Sequence, residues 1–217
     1  MTAYTNTLSN MPVFDSRLRK APSDFDTPQN LSISGTWQLP DRRFGSRALQ
    51  AVTYGWQIGT ILQASSGLPF TPVIAGDALG LNSSIAYDFP ERLSLPGCGN
   101  PVNSGNASSY IKLSCFAAPS PSTLLGDAGR NVARGPGLVD MDSSLVRNIR
   151  IRSISESCNL QFRFEAFNVV NHTNFLPPAA SSLQLFTQSL SPITTAGKLT
   201  ATSTTSRQLQ FALKIMW

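Results

Sequence analysis

The segment Arg207 to Trp217 constrains this chain more than any other. Leu209, Phe211, Leu213, Ile215 and Trp217 alternate with Gln208, Gln210, Ala212 and Lys214, and the chain ends on the indole. A period of two sends successive side chains to opposite faces of a strand. One face is apolar and the other is polar and charged. A half-buried strand of a soluble sandwich alternates in this way. So does a strand with lipid on one side and a watery lumen on the other.

The same pattern returns along the chain. Leu31, Ile33, Gly35, Trp37 and Leu39 alternate with Ser32, Ser34, Thr36 and Gln38, and Pro40 stops the run. A basic turn with Arg42, Arg43 and Arg47 leads to a second run. There Tyr54, Trp56, Ile58, Thr60, Leu62 and Ala64 share one face. Val139, Met141, Ser143 and Leu145 oppose Asp140, Asp142 and Ser144. Leu160, Phe162, Phe164 and Ala166 oppose Gln161, Arg163 and Glu165. Phe167 and Val169 then fall on the wrong face, as at a bulge or a sheet rim. The spacing predicts five strands near 30–39, 54–65, 138–151, 159–170 and 207–217. Residues 1–28 read as a loop. Residues 68–136 and 171–206 read as two long loops rich in Pro, Gly, Ser, Thr and Asn. Connections that alternate short and long suit a meander with short turns at one membrane face and long loops at the other. Loops of this size count against a compact soluble domain.

Composition narrows the choice. Charged residues are 13% of the chain, about half the usual soluble share. No apolar run approaches the ~18 residues of a spanning helix. The net charge of +5 is spread over turns and strand ends without a basic cluster interleaved with aromatics, which argues against nucleic-acid binding. The first residues, Met1 to Thr7, have neither the basic nor the apolar region of a signal peptide. A barrel needs export, so either the chain is not part of a barrel or it is the tail of a longer protein.

Several segments, taken in order, resemble TonB-dependent outer-membrane receptors, most of all the Oar-like group with a carboxypeptidase-regulatory-like domain. They are Ser23-Asp24-Phe25-Asp26 with Leu31 to Pro40, Gly55-Trp56-Gln57-Ile58 with Ser66 to Pro72, and Gly126 to Asn131 with Arg134 to Gly137. Leu160 to Asn168 with Asn171 to Phe175, and Arg207 to Lys214, complete the set. Thr27-Pro28-Gln29 departs from the more basic residues usual there, and Trp217 replaces the commoner Phe. The resemblance implies the C-terminal part of a plugged barrel of about 22 strands, of which this chain supplies about five. The fold expected is therefore all-β: an antiparallel up-and-down transmembrane β-barrel segment with two long extracellular loops. Its setting would be a Gram-negative outer membrane, with the C-terminus periplasmic. The partners implied are outer-membrane lipid, the remaining strands and N-terminal plug, TonB through that plug, and the barrel-assembly machinery. The assembly signal would be the alternation Leu209, Phe211, Leu213, Ile215 and Trp217. With the C-terminus periplasmic, Trp37, Tyr54, Trp56 and Trp217 all come to one interface, where amphipathic rings form a girdle.

Candidate sites are few. Cys98 and Cys115 lie in a loop expected outside the cell, where a disulfide is permitted; two free thiols are the alternative. Cys158 sits at a turn and is expected to be unpaired. No zinc-ligand spacing occurs, and neither a metal nor a cofactor is expected. His172 stands alone at a strand exit and reads as structural. Gly126 to Gly137 lacks the Lys-Ser/Thr of a phosphate loop and reads as the loop's return to the barrel, with Arg130 and Arg134 at the rim. Asp140, Asp142, Arg163, Glu165 and Lys214 share the polar face. They are expected to form a cross-strand charge ladder in the barrel wall, with contact to a plug or solute as the sharper alternative.

The leading expectation is uptake of a siderophore, carbohydrate or peptide, with no chemistry and no enzyme. An outer-membrane structural or adhesive barrel is a second class, and a secreted β-sandwich binding module a third. Five strands leave two open edges, which lipid does not tolerate, so the isolated chain is expected to need detergent.

Overall fold

The structure is a computed structural model that describes residues 20–40, 54–80, 87–120 and 126–217. The expected loop before residue 20 and the basic turn with Arg42, Arg43 and Arg47 lie outside the described residues. In chain order the described strands are β1 (Asn30–Gln38), β2 (Trp56–Ser65), β3 (Pro69–Phe70), β4 (Val73–Ala75), β5 (Tyr87–Asp88) and β6 (Glu91–Arg92). They continue with β7 (Phe116–Ala117), β8 (Ala133–Arg134), β9 (Leu138–Arg150), β10 (Asn159–Phe167), β11 (Gln184–Phe186) and β12 (Gln208–Met216); a short α-helix among the described residues, α1, spans Ala180–Leu183. They fall into two compact units.

One unit comprises Gln29–Ser65, Leu138–Asn174 and Thr204–Trp217, and it is a single five-stranded sheet in the order β1-β2-β9-β10-β12. Every neighbouring pair is antiparallel, and each strand's neighbours are those that precede and follow it in sequence among the five. This is the meander that the alternation predicts. No described helix is long and apolar enough to cross a membrane. The ladder is continuous. Trp37 pairs Ile58, Ile58 pairs Leu145, Leu145 pairs Phe164, and Phe164 pairs Phe211. Directly opposed residues share a face, so this row fixes one apolar face across all five strands. On β9 the apolar positions run from Val139 to Ile149. Ten steps of about 3.4 Å, tilted by about 45°, rise about 24 Å, close to the ~25 Å apolar band of membrane barrels.

Strand ends differ slightly from the periodicity. β2 begins at Trp56, because Gly55 before it is left-handed (φ 74°) and leaves Tyr54 outside the ladder. β10 ends at Phe167, because Asn168 is left-handed (φ 49°) and turns the chain. That turn, rather than a bulge inside the strand, breaks the alternation at Val169.

The other unit takes in 66–137 and 175–203 with the described residues up to Pro28. The two stretches expected as loops are therefore organised and fold together. β4 pairs β11 in parallel and β5 antiparallel, β3 pairs β8, and β6 pairs β7. Phe70, Val73, Ile74, Ile111 and Leu185 are almost completely buried and lead one apolar cluster that also holds Phe89, Phe116 and Phe186. Glycine permits the close approaches. A Cβ on Gly126 would stand 1.9 Å from the Phe89 carbonyl oxygen, and one on Gly67 1.9 Å from that of Gly135.

Candidate functional site

Each large side chain on the apolar face of the sheet is held outward by the pleat, and several remain widely exposed: Trp37, Leu209, Phe211, Leu213 and Ile215 among them. Phe164 and Phe211, directly opposed, stack at 4.8 Å between ring centroids. The polar interruptions on this face are matched to one another. Thr60 and Ser143 are opposed and their hydroxyls lie 3.3 Å apart. Arg147 is the single charge on this face among the described strands. It is opposed to Trp56 on one side and Phe162 on the other, and its guanidinium carbon lies 5.5 Å from the Trp56 ring centroid. Trp56 meets Phe162 edge-on at 5.8 Å. Arg147 continues the series Val139, Met141, Ser143 and Leu145, and the register shows what stands beside it.

The tryptophans are not level on the ladder. Relative to the row Trp37–Ile58–Leu145–Phe164–Phe211, Trp56 lies two residues further along after one strand step, and Trp217 six after four steps. The line through them therefore climbs about 1.5 residues per strand. Strands tilted by about 45° and spaced about 4.8 Å apart need about 1.4 residues per strand to stay at constant height. The same line meets β9 between Arg147 and Ile149. Tyr54, outside the ladder beside Gly55, is half exposed.

The opposite face carries Asp140, Asp142, Arg163, Glu165 and Lys214, as the alternation predicts, but not as a cross-strand charge ladder. Asp140 faces Gln63, Asp142 faces Ile61, Arg163 stands between Val146 and Ala212, Glu165 between Ser144 and Gln210, and Lys214 faces Gln161. None of the five is directly opposed to another. The ion pair among them, Arg163 to Glu165 at 3.4 Å, runs along one strand. Register depends on pairing partners, which a single strand's pattern does not contain. The charges instead sort along the strands. Asp140, Asp142 and Glu165 lie toward the end that joins the long connections, and Arg163, Lys214 and Arg150 toward the other. A groove of about 620 Å³ opens at the acidic end beside Ser34, Thr36, Gly59, Asp142, Ser144 and Glu165. Its lining offers hydroxyl and carboxylate groups, with no nucleophile held against a base. No group of ligating side chains able to hold a metal occurs among the described residues.

The rim after β10 is built from asparagines that the periodicity did not single out. Asn174 is fully buried. Its side chain accepts from the Val139 amide (2.8 Å) and donates to the Val139 carbonyl (3.0 Å) and Thr204 Oγ1 (3.0 Å), so it pairs with Val139 as a strand would. His172 Nδ1 lies 2.9 Å from Asn174 Oδ1. Asn168 donates to the carbonyls of His172 and Thr205, and its amide donates to Asp142 Oδ1 at 2.9 Å. The left-handed backbone at Asn168 suits asparagine better than any residue but glycine.

In the other unit Cys98 and Cys115 are joined by a disulfide with Cα atoms 5.4 Å apart. Cys158 is a buried free thiol. Arg130 and Arg134 hold the Ser23–Asp26 turn. Arg130 pairs Asp24 at 2.8 Å, and Arg134 pairs Asp26 while also donating to the carbonyls of Asp26 and Gly67. Asn131, left-handed and buried, donates to Asp24 and to the Pro22 carbonyl. Burial pushes the Tyr110 hydroxyl up to about 12, and it donates to the Arg134 carbonyl at 2.9 Å.

No curated protein and no solved structure matches the chain. A family model does: the one described as an outer membrane beta barrel domain matches residues 2–210. That match covers nearly the whole chain. With an antiparallel meander whose apolar face spans about the thickness of a bilayer, it makes this a protein of the outer membrane, and the chain belongs to the outer membrane β-barrel domain family.

Proposed function

We propose that the chain is the closing portion of the barrel of a TonB-dependent receptor that takes up a siderophore, carbohydrate or peptide across the outer membrane. The observation that carries this reading is the pair of open edges. β1, and β12 as far as Ile215, are exposed and have no outer neighbour among the described strands, in a sheet whose two faces already differ as lipid and lumen demand. Such a sheet needs further strands, and the ordered motifs resembling the receptor family favour the strands of such a receptor. In this reading the polar face lines the lumen and meets the plug. The groove beside Asp142 and Glu165 contributes hydroxyl and carboxylate contacts there. The end of the sheet with the short connection between β9 and β10 is periplasmic, and the apolar series ending at Trp217 is read by the assembly machinery. No chemical step is involved.

The test is the genomic reading frame around Met1 and the product it encodes. The expected result is a continuous frame carrying a plug and a TonB box, whose product is retained by the purified periplasmic domain of TonB. A frame that encodes neither sinks the transport reading. The second reading is an anchor for an adhesive surface. It is favoured by the inserted unit, which has its own buried core and a disulfide. Binding of intact cells to a surface, lost on deletion of 87–120 without loss of the barrel, would select it.

A further inference from the structure

Two neighbouring rows cross the polar face of the sheet, Ser34–Ile61–Asp142 and Thr36–Gly59–Ser144–Glu165. They line the groove of about 620 Å³ at the end that joins the long connections. Gly59 leaves a gap in the second row between Thr36 and Ser144; a Cβ there would stand 2.7 Å from Ser144 Oγ. Asp142 and Glu165 are diagonal neighbours on the β9–β10 ladder, about 7–8 Å apart. Asp142 commits Oδ1 to the Asn168 amide at 2.9 Å, and Glu165 commits Oε1 to Arg163 at 3.4 Å. Among the described residues the other oxygen of each carboxylate meets no hydrogen-bonding partner. Phe167 follows Ala166, the partner of Ser143, so it stands level with Asp142 on the same face, and it is 37% exposed. Carboxylates, hydroxyls and an accessible aromatic ring together form the set of groups that a sugar uses. A carboxylate oxygen accepts a charge-assisted bond from a hydroxyl, serine and threonine both donate and accept, and the negative face of a phenyl ring attracts the C–H groups of a pyranose. An anionic guest is repelled by the two carboxylates. A cationic guest has less to gain, because Arg163 already stands beside Glu165 and offsets its charge. We propose that this groove is a binding site for a neutral oligosaccharide, with Asp142 and Glu165 accepting from its hydroxyls and Phe167 stacking on one ring. The proposal rests on the uptake reading above and names its substrate class.

The test applies the full protein, purified in detergent, to an array of neutral oligosaccharides, with tetralysine and a ferric catecholate as cationic and anionic probes. Wild type is expected to bind at least one oligosaccharide, which is then titrated by calorimetry. Asp142→Asn keeps an acceptor for the Asn168 amide without the charge, and Glu165→Gln keeps the shape of the side chain. Each is expected to weaken the sugar about ten-fold, the scale of one hydrogen bond to a charged group. Gly59→Phe fills the gap and is expected to abolish binding. If it fails to show the gel mobility of a folded barrel, the two isosteric changes carry the test. Arg150→Gln, on the same face at the other end, is expected to leave the affinity as it was. No binding to any oligosaccharide on the array overturns the site, as does binding that all three groove variants leave undiminished. So does an equal loss in Arg150→Gln, which would mean net charge alone. Tighter binding of tetralysine or the catecholate that the groove variants alter overturns it in favour of that class. The reading frame around Met1 is scored separately. A protein with a plug and a TonB box that binds no sugar keeps the transport reading and loses this site. Sugar binding through the groove by a protein with neither keeps the site and loses transport.

Discussion

In the five-stranded sheet the large apolar side chains point outward and remain accessible, whereas in the inserted unit they converge on one another. Phe211, Leu213 and Trp217 are more than half exposed, while Phe70, Ile74 and Leu185 are at 0%. The apolar cluster of buried residues lies entirely within the inserted unit. One chain thus meets two solvents. The sheet uses lipid as the solvent of its apolar face and water for its polar face, so it needs no core of its own. The inserted unit is built on the rule for a water-exposed domain, apolar residues inside and a disulfide added because the core is small. Charges should therefore be felt differently in the two regions, and cross-links and the burial of apolar side chains should matter only in one.

The sharpest way to break the comparison is to place the same charge on adjacent residues of β9. Leu145→Lys puts an ammonium on the apolar face, at an expected cost of about 2–4 kcal/mol. Ser144→Lys puts it on the polar face, opposite Glu165 and Gly59, at little cost. Urea unfolding of the barrel from lipid vesicles measures both, and equal losses would mean that the faces are not in different solvents. Next in size is the double change Cys98→Ser with Cys115→Ser. The bridge spans a separation of 17 residues, and its loss is expected to cost the inserted unit about 3 kcal/mol. Proteolysis within 87–120 should rise while the heat-modifiable mobility of the barrel stays as it was. Loss of both together would join the regions into one cooperative unit.

The sheet was legible in the sequence because a period of two is local and a lipid face enforces it residue by residue. All five strands, the two faces and the sharing of one face by Asp140, Asp142, Arg163, Glu165 and Lys214 follow from it. The inserted unit was not legible for the converse reason. Its strands are two or three residues long, too short for any period, and β4 meets β11 from about 110 residues away. Arg147 and Asn174 were legible only in part. One sits on the expected face without showing its aromatic neighbours, and the other looks like any polar residue at a strand exit. Its contact with Val139 spans 35 residues.

Asn174 gives the third test. Asn174→Ala leaves both backbone groups of Val139 and the Thr204 hydroxyl without the partner they have now, at an expected cost of about 2 kcal/mol. Asn174→Asp keeps the acceptor for the Val139 amide but loses the donor, so it should fall between. The loss should appear in the sheet's unfolding, and amide exchange at Val139 should quicken. Unchanged exchange there would mean that the strand end is held by the ladder alone.

The smallest effect belongs to a carboxyl in the inserted unit and concerns its response to pH. Asp88 is buried, and desolvation pushes its carboxyl above the ordinary value near 3.8. The carboxylate of Asp77 pushes the same way, while the amides of Leu79, at 2.7 Å, and Ala78 pull it down. A carboxyl raised on folding favours the protonated folded state. Its contribution is complete below the ordinary value and is lost as pH rises through the raised one. Asp88→Asn keeps an acceptor for the Leu79 amide without the charge. It should make the inserted unit slightly more stable at neutral pH and flatten the change in stability from about pH 4 upward. Amide exchange at Leu79 across that range reads both effects. A variant that is less stable at neutral pH would show that the ionised carboxylate contributes more through its amide bonds than it loses by burial.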